Sequence, residues 1–243
     1  MRKEDMTTEN IVRVWESRRD IKNLMGRYAN DYLLNRQGLL FGRYWSGRED
    51  ICYGRNDGWY VGREEIREYY NALAEKNKLI AEVLRKRFPE KLSGLSEEET
   101  SGIGEITAKP GSSPVIEIAE DLQTAKALWH IHGTYTNIDS RGPIANFLWG
   151  YYAVDYVLED GQWKIWHMQE VYDVDSLCEQ SWGKPIEAYP ELPEFADMKA
   201  FSLPAPGVLK TLRRYYTPTR PIERTPRIPE AYATFDETFS YGI

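Results

Sequence analysis

The spacing of apolar residues along the first part of the chain is that of a helix. From Ile21 onward, apolar side chains fall at positions i, i+3, i+4, i+7 and i+11, so they share one face of one amphipathic helix or of two consecutive helices. This face comprises Ile21, Leu24, Met25, Tyr28 and Tyr32. Thr8, with the acidic Glu9 directly after it, is a suitable N-cap for this region.

The pattern then changes to that of short strands and back to that of a helix. Glycines interrupt two aromatic runs, DICYG and GWYVG, and the connection RNDG between them predicts a β-hairpin. Helical periodicity returns from Glu64 to Arg87 and ends before Pro89. Segment 89–113 has the composition of a loop, and we expect a mobile flap there.

Apolar and polar residues alternate in the next part of the chain, as they do in half-buried strands. Segments 114–121 and 124–137 each predict one strand, and segment 146–175 predicts two long strands joined at Asp160-Gly161, a strong two-residue hairpin signal. The order helix, hairpin, helix, antiparallel strands predicts an α+β domain over residues 1–178. Such a sheet curls around the helices and leaves an apolar cavity at its open end.

Beyond about residue 180 the periodicity fades and proline becomes frequent. Nine of the thirteen prolines lie at position 185 or later, among Tyr, Phe and Trp residues that favour burial. We therefore predict that residues 179–243 form a Pro/aromatic arm that packs on the domain or on a partner subunit. The chain contains 17 Tyr and 8 Trp, which can form a large core or line a pocket for a flat apolar ligand.

The charge balance limits the classes of partner. A formal net charge of −7 argues against a nucleic-acid-binding protein, because phosphate contacts need a basic face. The most basic segment, 210–227, either contacts an anionic partner or pairs with acidic groups of the same protein, and the second interpretation is favoured. The two cysteines have no metal-binding spacing, and the N-terminus has no apolar signal-peptide core. With no apolar run of about 18 residues, we expect a cytoplasmic protein with no membrane partner.

The three histidines fall in segments predicted to be neighbouring strands. His130 and His132 are two residues apart and therefore project from the same side of their strand. Regular pairing from the turn at 160–161 places His167 opposite Val154. If the preceding hairpin pairs Val154 with an even-numbered residue of segment 124–137, all three histidines share one face. A slip of one residue in that pairing moves His167 to the other face.

Three interpretations of these histidines follow. They could form a three-histidine metal site, although no carboxylate is evidently placed to orient the rings. One or two of them could line the cavity as general acid or base. They could instead be satisfied by hydrogen bonds among the aromatic residues of the sheet, which is the favoured interpretation for His130.

Three stretches of the chain are specific enough to compare with a known family: IKNLMGRYANDYLLNRQGLLFGRYW, PVIEIAEDLQTAKALW and WGYYAVDYVLEDGQWKIWHMQ. They resemble the SnoaL-like branch of the nuclear transport factor 2-like superfamily, and the resemblance covers residues 10–176. It implies a cone-shaped, strongly curved antiparallel sheet wrapped around N-terminal helices, which is a cystatin-like half-barrel, and frequent dimers. It also implies cofactor-free chemistry, as in dehydratases, ketosteroid isomerases, polyketide cyclases and epoxide hydrolases, although some relatives only bind or associate.

The resemblance also suggests positions for site residues. Tyr28 matches the first-helix tyrosine of the dehydratases, and Asp31 lies near the position of their aspartate. Lys109 stands near the position of a pocket histidine that this chain lacks. His132 falls near an acidic position, and Tyr172 takes the place of a basic residue on the last strand.

The predicted function is that of a cofactor-independent lyase or isomerase acting on a hydrophobic, cyclic, oxygenated small molecule. His132 or His167 would be the base, Tyr28 and Tyr172 would polarise oxygen, and Asp31 would orient a histidine. The predicted substrate contacts are Lys109, His130, Trp149 and Tyr152. The alternatives are a non-catalytic binding or assembly protein of the same fold and a three-histidine metalloenzyme. We expect a homodimer or higher homo-oligomer.

Overall fold

The computed structural model describes residues 7–181, 192, 193, 196 and 203–243. The predicted N-terminal helical region is a single helix, α1 (Thr8–Leu33), and its N-cap is Thr7 rather than Thr8. A second helix, α2 (Gln37–Tyr44), follows in a segment where the apolar spacing predicts no helix. The predicted second helical region is α3 (Gly62–Arg87). Among the described residues, no helix has the length and apolar character needed to cross a bilayer.

The segment predicted to be a loop between α3 and the long strands contains regular structure. It includes the short helices α4 (Pro89–Leu92) and α5 (Glu97–Thr100) and a two-residue strand, β3 (Thr107–Ala108). A capping box explains α5: Ser96 accepts from the Glu99 amide, and the Glu99 carboxylate accepts from the Ser96 amide.

In the part of the chain that the structure describes, eight strands form one curved sheet. The predicted hairpin is confirmed as β1 (Cys52–Arg55) and β2 (Gly58–Val61), and the long strands are β4 (Gly111–Ile118), β5 (Thr124–Asp139), β6 (Gly142–Glu159) and β7 (Gln162–Leu177). The order is β3-β5-β6-β7-β1-β2-β8, with β4 also paired to β5 and β8 being Val208–Leu209. All pairs are antiparallel except β1 with β7. This α+β arrangement confirms the predicted fold class.

The sheet has an inner face that packs against the helices and an outer face on the other side. Trp129 on β5, Tyr152 on β6 and Met168 on β7 belong to the inner face, and they form one core with Tyr28 of α1 and Tyr70 of α3. Side chains alternate between the two faces along each regular stretch of strand, so these three positions fix the face on which each neighbouring strand residue lies.

A β-bulge in β7 determines the direction of His167. Pairing from the Asp160-Gly161 turn is regular until Tyr156 lies opposite Ile165; Trp166 is then unpaired, and His167 lies opposite Asp155 instead of Val154. The extra residue moves His167 from the inner to the outer face. A second bulge leaves Asp173 unpaired.

The described part of the C-terminal segment packs on this domain. The Tyr232 carbonyl accepts from the Glu120 amide at 3.1 Å, and the Tyr241 amide donates to Asp155 at 2.8 Å. Phe235 packs against Trp166 with ring centroids 4.4 Å apart. Tyr232 and Tyr241 are buried and Phe235 is partly buried, whereas Tyr215 and Tyr216 are exposed. Residues 182–191, 194–195 and 197–202 of the predicted arm lie outside the described residues.

Candidate functional site

A buried carboxylate lies at the centre of the inner face. Glu170 on β7 is fully buried, and its Oε1 atom is 2.6 Å from the Nζ atom of Lys109. The Tyr53 hydroxyl donates to Oε2 at 2.7 Å, and the Tyr172 hydroxyl donates to Oε1. The carboxylate therefore has one ammonium and two phenol partners, which compensate for its removal from water.

Four different parts of the fold bring these groups together. Glu170 and Tyr172 are two residues apart on β7 and so project from the same face. Tyr53 comes from β1, which pairs with β7 in parallel. Lys109 lies between β3 and β4, and its ammonium is 3.9 Å from the ring centroid of Tyr32, a cation–π contact with α1.

Tyrosine rings surround this network. The Tyr28 and Tyr70 hydroxyls are 2.9 Å apart, and the Trp45 indole nitrogen donates to Tyr70. The rings that pack edge to face or offset in this cluster are Tyr28, Tyr32, Tyr53, Tyr60, Tyr69, Tyr70 and Tyr152. The interior that was predicted to be an apolar hollow is thus occupied at this level by phenol groups.

The electrostatics keep the carboxyl ionised and the phenols neutral. Burial alone would raise the pKa of Glu170, but the charges of Lys109 and Arg55 and the hydrogen bonds from Lys109 and Tyr172 lower it to about 2. Burial and the Glu170 charge raise the pKa of Tyr172 and of Tyr53 well above its ordinary value. Both phenols can therefore act as hydrogen-bond donors.

Four of the predicted site residues lie in or beside this network. Tyr28, Tyr152, Tyr172 and Lys109 are all buried on the inner side. The Tyr152 hydroxyl is 3.4 Å from the Lys109 carbonyl oxygen, and the Tyr28 and Tyr152 rings pack edge to face with centroids 6.3 Å apart.

Asp31 does not orient a histidine. Its carboxylate accepts from the Tyr44 hydroxyl at 2.6 Å and from Arg43 at 2.7 Å, with Arg36 at 3.4 Å. Burial would raise the pKa of Asp31, but these three hydrogen bonds lower it. The residue joins α1 to α2, because its partners are on α2 or just before it.

The three histidines share one face of the sheet, and that face is the outer one. His130 lies opposite Tyr151, His132 opposite Trp149, and His167 opposite Asp155. The expected cavity position of His132 and His167 is therefore wrong, because they point away from Tyr28 and Tyr172. His130 and Trp149, the predicted substrate contacts, are also on the outer face, where the Trp149 side chain is half exposed.

His167 belongs to a second buried network, under the C-terminal segment. Its Nδ1 atom is 2.9 Å from Asp155 Oδ2, and the Lys126 ammonium is 2.6 Å from Asp155 Oδ1. The Ser240 hydroxyl is within 3.2 Å of both His167 Nδ1 and Asp155 Oδ2. The aspartate that orients a histidine is therefore Asp155 rather than Asp31.

The three histidines do not converge on one point. His130 and His132 have ring centroids 6.2 Å apart, and His167 lies opposite Asp155, four residues along β6 from Tyr151, the partner of His130. In the described part of the chain, no group of three or more His, Cys, Asp or Glu side chains is arranged to hold a metal ion. The alternative of a three-histidine metalloenzyme therefore has no site in this arrangement.

Sequence reasoning missed Glu170, Tyr53 and Arg55. The available signal was Glu170 itself, an acidic residue between Met168 and Tyr172 on the otherwise apolar face of an alternating strand. An alternating strand that carries a carboxylate on its apolar face requires a buried partner. The partners could not be recognised in the same way, since Tyr53 and Lys109 lie far from Glu170 in the chain.

Comparison with known proteins assigns the family. The family model described as a SnoaL-like domain matches residues 13–169, more than half of the chain. This chain belongs to the SnoaL-like domain family. The resemblance recognised in the sequence is thereby confirmed. No curated protein matches the chain.

Solved structures with similar folds come from several bacteria. A proposed scytalone dehydratase from Novosphingobium aromaticivorans is 14% identical, with a TM-score of 0.48 over 77% of this chain and 98% of that chain. The hexachlorocyclohexane dehydrochlorinase LinA-type3 from Novosphingobium barchaimii is 13% identical, with a TM-score of 0.48 over 69% and 94%. An NTF2-like protein with a cystatin-like fold, also from N. aromaticivorans, is 14% identical, with a TM-score of 0.43 over 73% and 93%. Identities this low carry no information about substrate.

Proposed function

We propose that this protein is a cofactor-independent lyase or isomerase whose reaction centre is Glu170 with Lys109, Tyr53 and Tyr172. The substrate would be a hydrophobic, cyclic, oxygenated small molecule. The observation that carries the proposal is a fully buried, ionised carboxylate in contact with an ammonium and two phenols. Membership of the SnoaL-like domain family supports it.

The four groups have complementary roles in such a reaction. Glu170 removes a proton from the carbon next to a carbonyl or a departing hydroxyl. Tyr172 or Tyr53 donates a proton to the oxygen, which leaves as water in a dehydration or becomes the enol oxygen in an isomerisation. The Lys109 charge stabilises the negative charge that develops on that oxygen.

The same contacts return the protons after the reaction. Glu170 then carries the proton taken from carbon, and the donating tyrosine has lost its own. In a dehydration, that proton can pass directly from the carboxyl to the phenolate oxygen, because each tyrosine hydroxyl is hydrogen-bonded to the Glu170 carboxylate. In an isomerisation, Glu170 instead gives the proton to a different carbon of the enol system, and the enol hydroxyl returns its proton to the tyrosine. The site is restored without an external acid or base.

Substrate binding would also make Glu170 a stronger base. The Lys109 charge is the largest contribution that lowers the pKa of Glu170, and burial is the largest that raises it. A substrate oxygen that takes the Lys109 ammonium from the carboxylate therefore raises the pKa of the carboxyl. In the free enzyme the Lys109 charge neutralises the Glu170 carboxylate, and the bound substrate would remove that interaction and so make Glu170 a stronger base.

An isotope experiment tests this proposal. The protein is incubated in D₂O with a panel of cyclic ketones and hydroxy ketones, and mass spectrometry follows deuterium uptake next to the carbonyl and the loss of water. We expect turnover to fall at least about 100-fold in Glu170→Gln, because a general base is lost. The exposed Glu82→Gln variant is the matched control. Turnover that survives Glu170→Gln, or a panel with no reacting compound, would overturn the proposal.

The filled interior favours a second candidate, a non-catalytic binding or assembly protein of the same fold. The tyrosine rings pack against one another, and the Glu170 carboxylate is satisfied by the protein itself. Native mass spectrometry of the purified protein distinguishes the two. A small molecule that co-purifies unchanged and is not turned over supports the second candidate.

The predicted homodimer is part of the proposal. The support is the outer face near His132, where Phe147 and Trp149 are half exposed beside an apolar cavity of about 550 Å³. Light scattering of the purified protein measures the oligomeric state directly.

A further inference from the structure

A cavity rich in arginine lies where the β1–β2 hairpin meets the C-terminal segment. Its volume is about 570 Å³. Four arginines and one aspartate line it, in a protein with a net charge of −7. The full lining is Arg55, Asn56, Asp57, Thr211, Arg213, Arg214, Tyr215, Thr217 and Arg220.

Contacts with the domain fix the C-terminal wall of this cavity. The Leu212 amide donates to the Asn56 carbonyl at 2.9 Å, and the Tyr216 amide donates to the Asp173 carbonyl at 2.7 Å. Asp173 is the unpaired residue of the second β7 bulge, and its carboxylate is 2.7 Å from Arg213. The bulge thus exposes one residue that binds the segment through both its backbone and its side chain.

Arg213 has an unused donor in this wall. Its side chain is 2% exposed, and its Nε and Nη2 atoms bind Asp173. Its Nη1 atom is buried and has no hydrogen-bond partner among the described residues. This atom has no accessible surface and does not reach a ligand in the cavity. The Asp173 ion pair and the Tyr151 ring, whose centroid is 5.1 Å from the guanidinium carbon, hold the Arg213 side chain in the wall.

We propose that this cavity binds the oxyanion group, a carboxylate or a phosphate, of a small acidic molecule. Guanidinium groups present planar pairs of N–H donors that match the oxygens of both anions. The Thr211 and Thr217 side chains in the same wall provide further hydroxyl donors. Of the basic segment 210–227, Arg213 pairs with Asp173 of the same protein, and Arg214 and Arg220 complete the anion site.

Arg55 connects the anion site to the tyrosine interior. Its Nη1 atom donates to the Tyr69 hydroxyl, and its guanidinium carbon is 5.9 Å from the ring centroids of Tyr69 and of Tyr172. An anion held at this cavity is therefore separated from the Glu170 network by one side chain. The binding of an anion at this cavity does not depend on the proposed function. The further step, that this anion is the acidic group of the substrate, rests on the proposed function.

Calorimetric titration of the full chain with inorganic phosphate, phenyl phosphate, benzoate and neutral benzamide tests the site. We expect the anions to bind and benzamide not to bind. The double variant Arg214→Gln/Arg220→Gln should weaken anion binding at least about tenfold, because charge-assisted hydrogen bonds are lost. Tighter binding of phenyl phosphate and benzoate than of phosphate identifies an organic acid as the ligand. The reverse order identifies free phosphate.

The control variant changes the same number of charges elsewhere. Arg27→Gln/Arg224→Gln removes two exposed arginines that do not line the cavity, and it should bind the anions as the parent does. Equal binding by the Arg214/Arg220 variant and the parent, or equal weakening by both double variants, overturns the inference. The Glu170→Gln variant should still bind phosphate. Its turnover tests the proposed function and its phosphate binding tests the anion site, so failure of one proposal can be told from failure of the other.

Discussion

The Nζ atom of Lys109 lies 2.6 Å from the Oε1 atom of Glu170, and both side chains are buried. The two residues are 61 positions apart in the chain, so this contact joins the segment before β4 to the inner face of β7. A buried ion pair of this kind is costly to break, because removal of one partner leaves an uncompensated charge. Stability measurements can therefore detect the pair before any substrate is known.

Lys109→Met is expected to destabilise the protein strongly. The methionine fills similar volume but leaves the Glu170 carboxylate without its main counter-charge, which costs about 3–5 kcal/mol in the free energy of unfolding. Urea unfolding at pH 7 measures this change. The double variant Lys109→Met/Glu170→Met removes both charges and should recover most of the loss. A single variant as stable as the parent would contradict the buried pair.

The loss in Lys109→Met should depend on pH. In the parent the pKa of Glu170 is about 2, below the value of about 4.3 in an unfolded chain, so the carboxyl stabilises the fold above about pH 4.3. This contribution disappears as the pH falls from about 4.3 towards 2. In Lys109→Met the pKa of Glu170 is higher, so as the pH is lowered the carboxyl becomes protonated, and its unpaired charge is removed, at a higher pH than in the parent. The difference between the unfolding curves should therefore be largest near pH 7 and narrow towards pH 4; a constant difference would contradict the assignment.

Removing one phenol from the carboxylate should have a smaller effect. Tyr53→Phe and Tyr172→Phe each delete a hydrogen bond to a charged acceptor, and we expect each to lower the free energy of unfolding by about 1.5–3 kcal/mol. Tyr152→Phe is the control, because its hydroxyl makes only a long, 3.4 Å contact with a neutral carbonyl. If Tyr152→Phe costs as much as the other two, the hydroxyl–carboxylate bonds are not the cause.

Asp155→Asn should loosen the C-terminal segment as well as destabilise the domain. The Lys126 ammonium, fully buried, loses its counter-charge, at a cost of about 3–5 kcal/mol, and the Tyr241 amide and Ser240 hydroxyl lose a charged acceptor. Hydrogen exchange should accelerate in residues 232–241. Burial already lowers the pKa of Lys126, so the defect should lessen as the pH rises towards 10. Asp160→Asn at the hairpin tip is the control, and exchange in 232–241 that matches this control would refute the role of Asp155.

The two cysteines should differ in reactivity. Burial raises the pKa of Cys52 to about 12, so at pH 8 only about one thiol in 10⁴ is ionised, while Cys178 is exposed. Ellman's reagent should modify one thiol rapidly in the native protein and the second only on unfolding. Cys178→Ser should abolish the rapid phase. A rapid phase that persists in Cys178→Ser would show that Cys52 is accessible.

The local patterns were sufficient for the longest helices and strands and for the family. Helical spacing predicted α1 and α3, alternation predicted β4 to β7, and both hairpins formed at the turns that their residues favour. The phrases quoted above were enough to recognise the SnoaL-like resemblance. These features depend on contacts within a few residues, which short-range spacing records.

Only the tertiary structure decided which side chains meet. One unpaired residue, Trp166, turned His167 from the inner to the outer face, and no turn or spacing signal marks such a bulge. The partners of Glu170 outside its own strand come from two distant segments, β1 and the residues before β4, and that choice is made when the whole core packs. The sequence alone therefore determined the long helices, the long strands and the family, while the packing of the folded chain put Glu170, rather than a histidine, among the tyrosines.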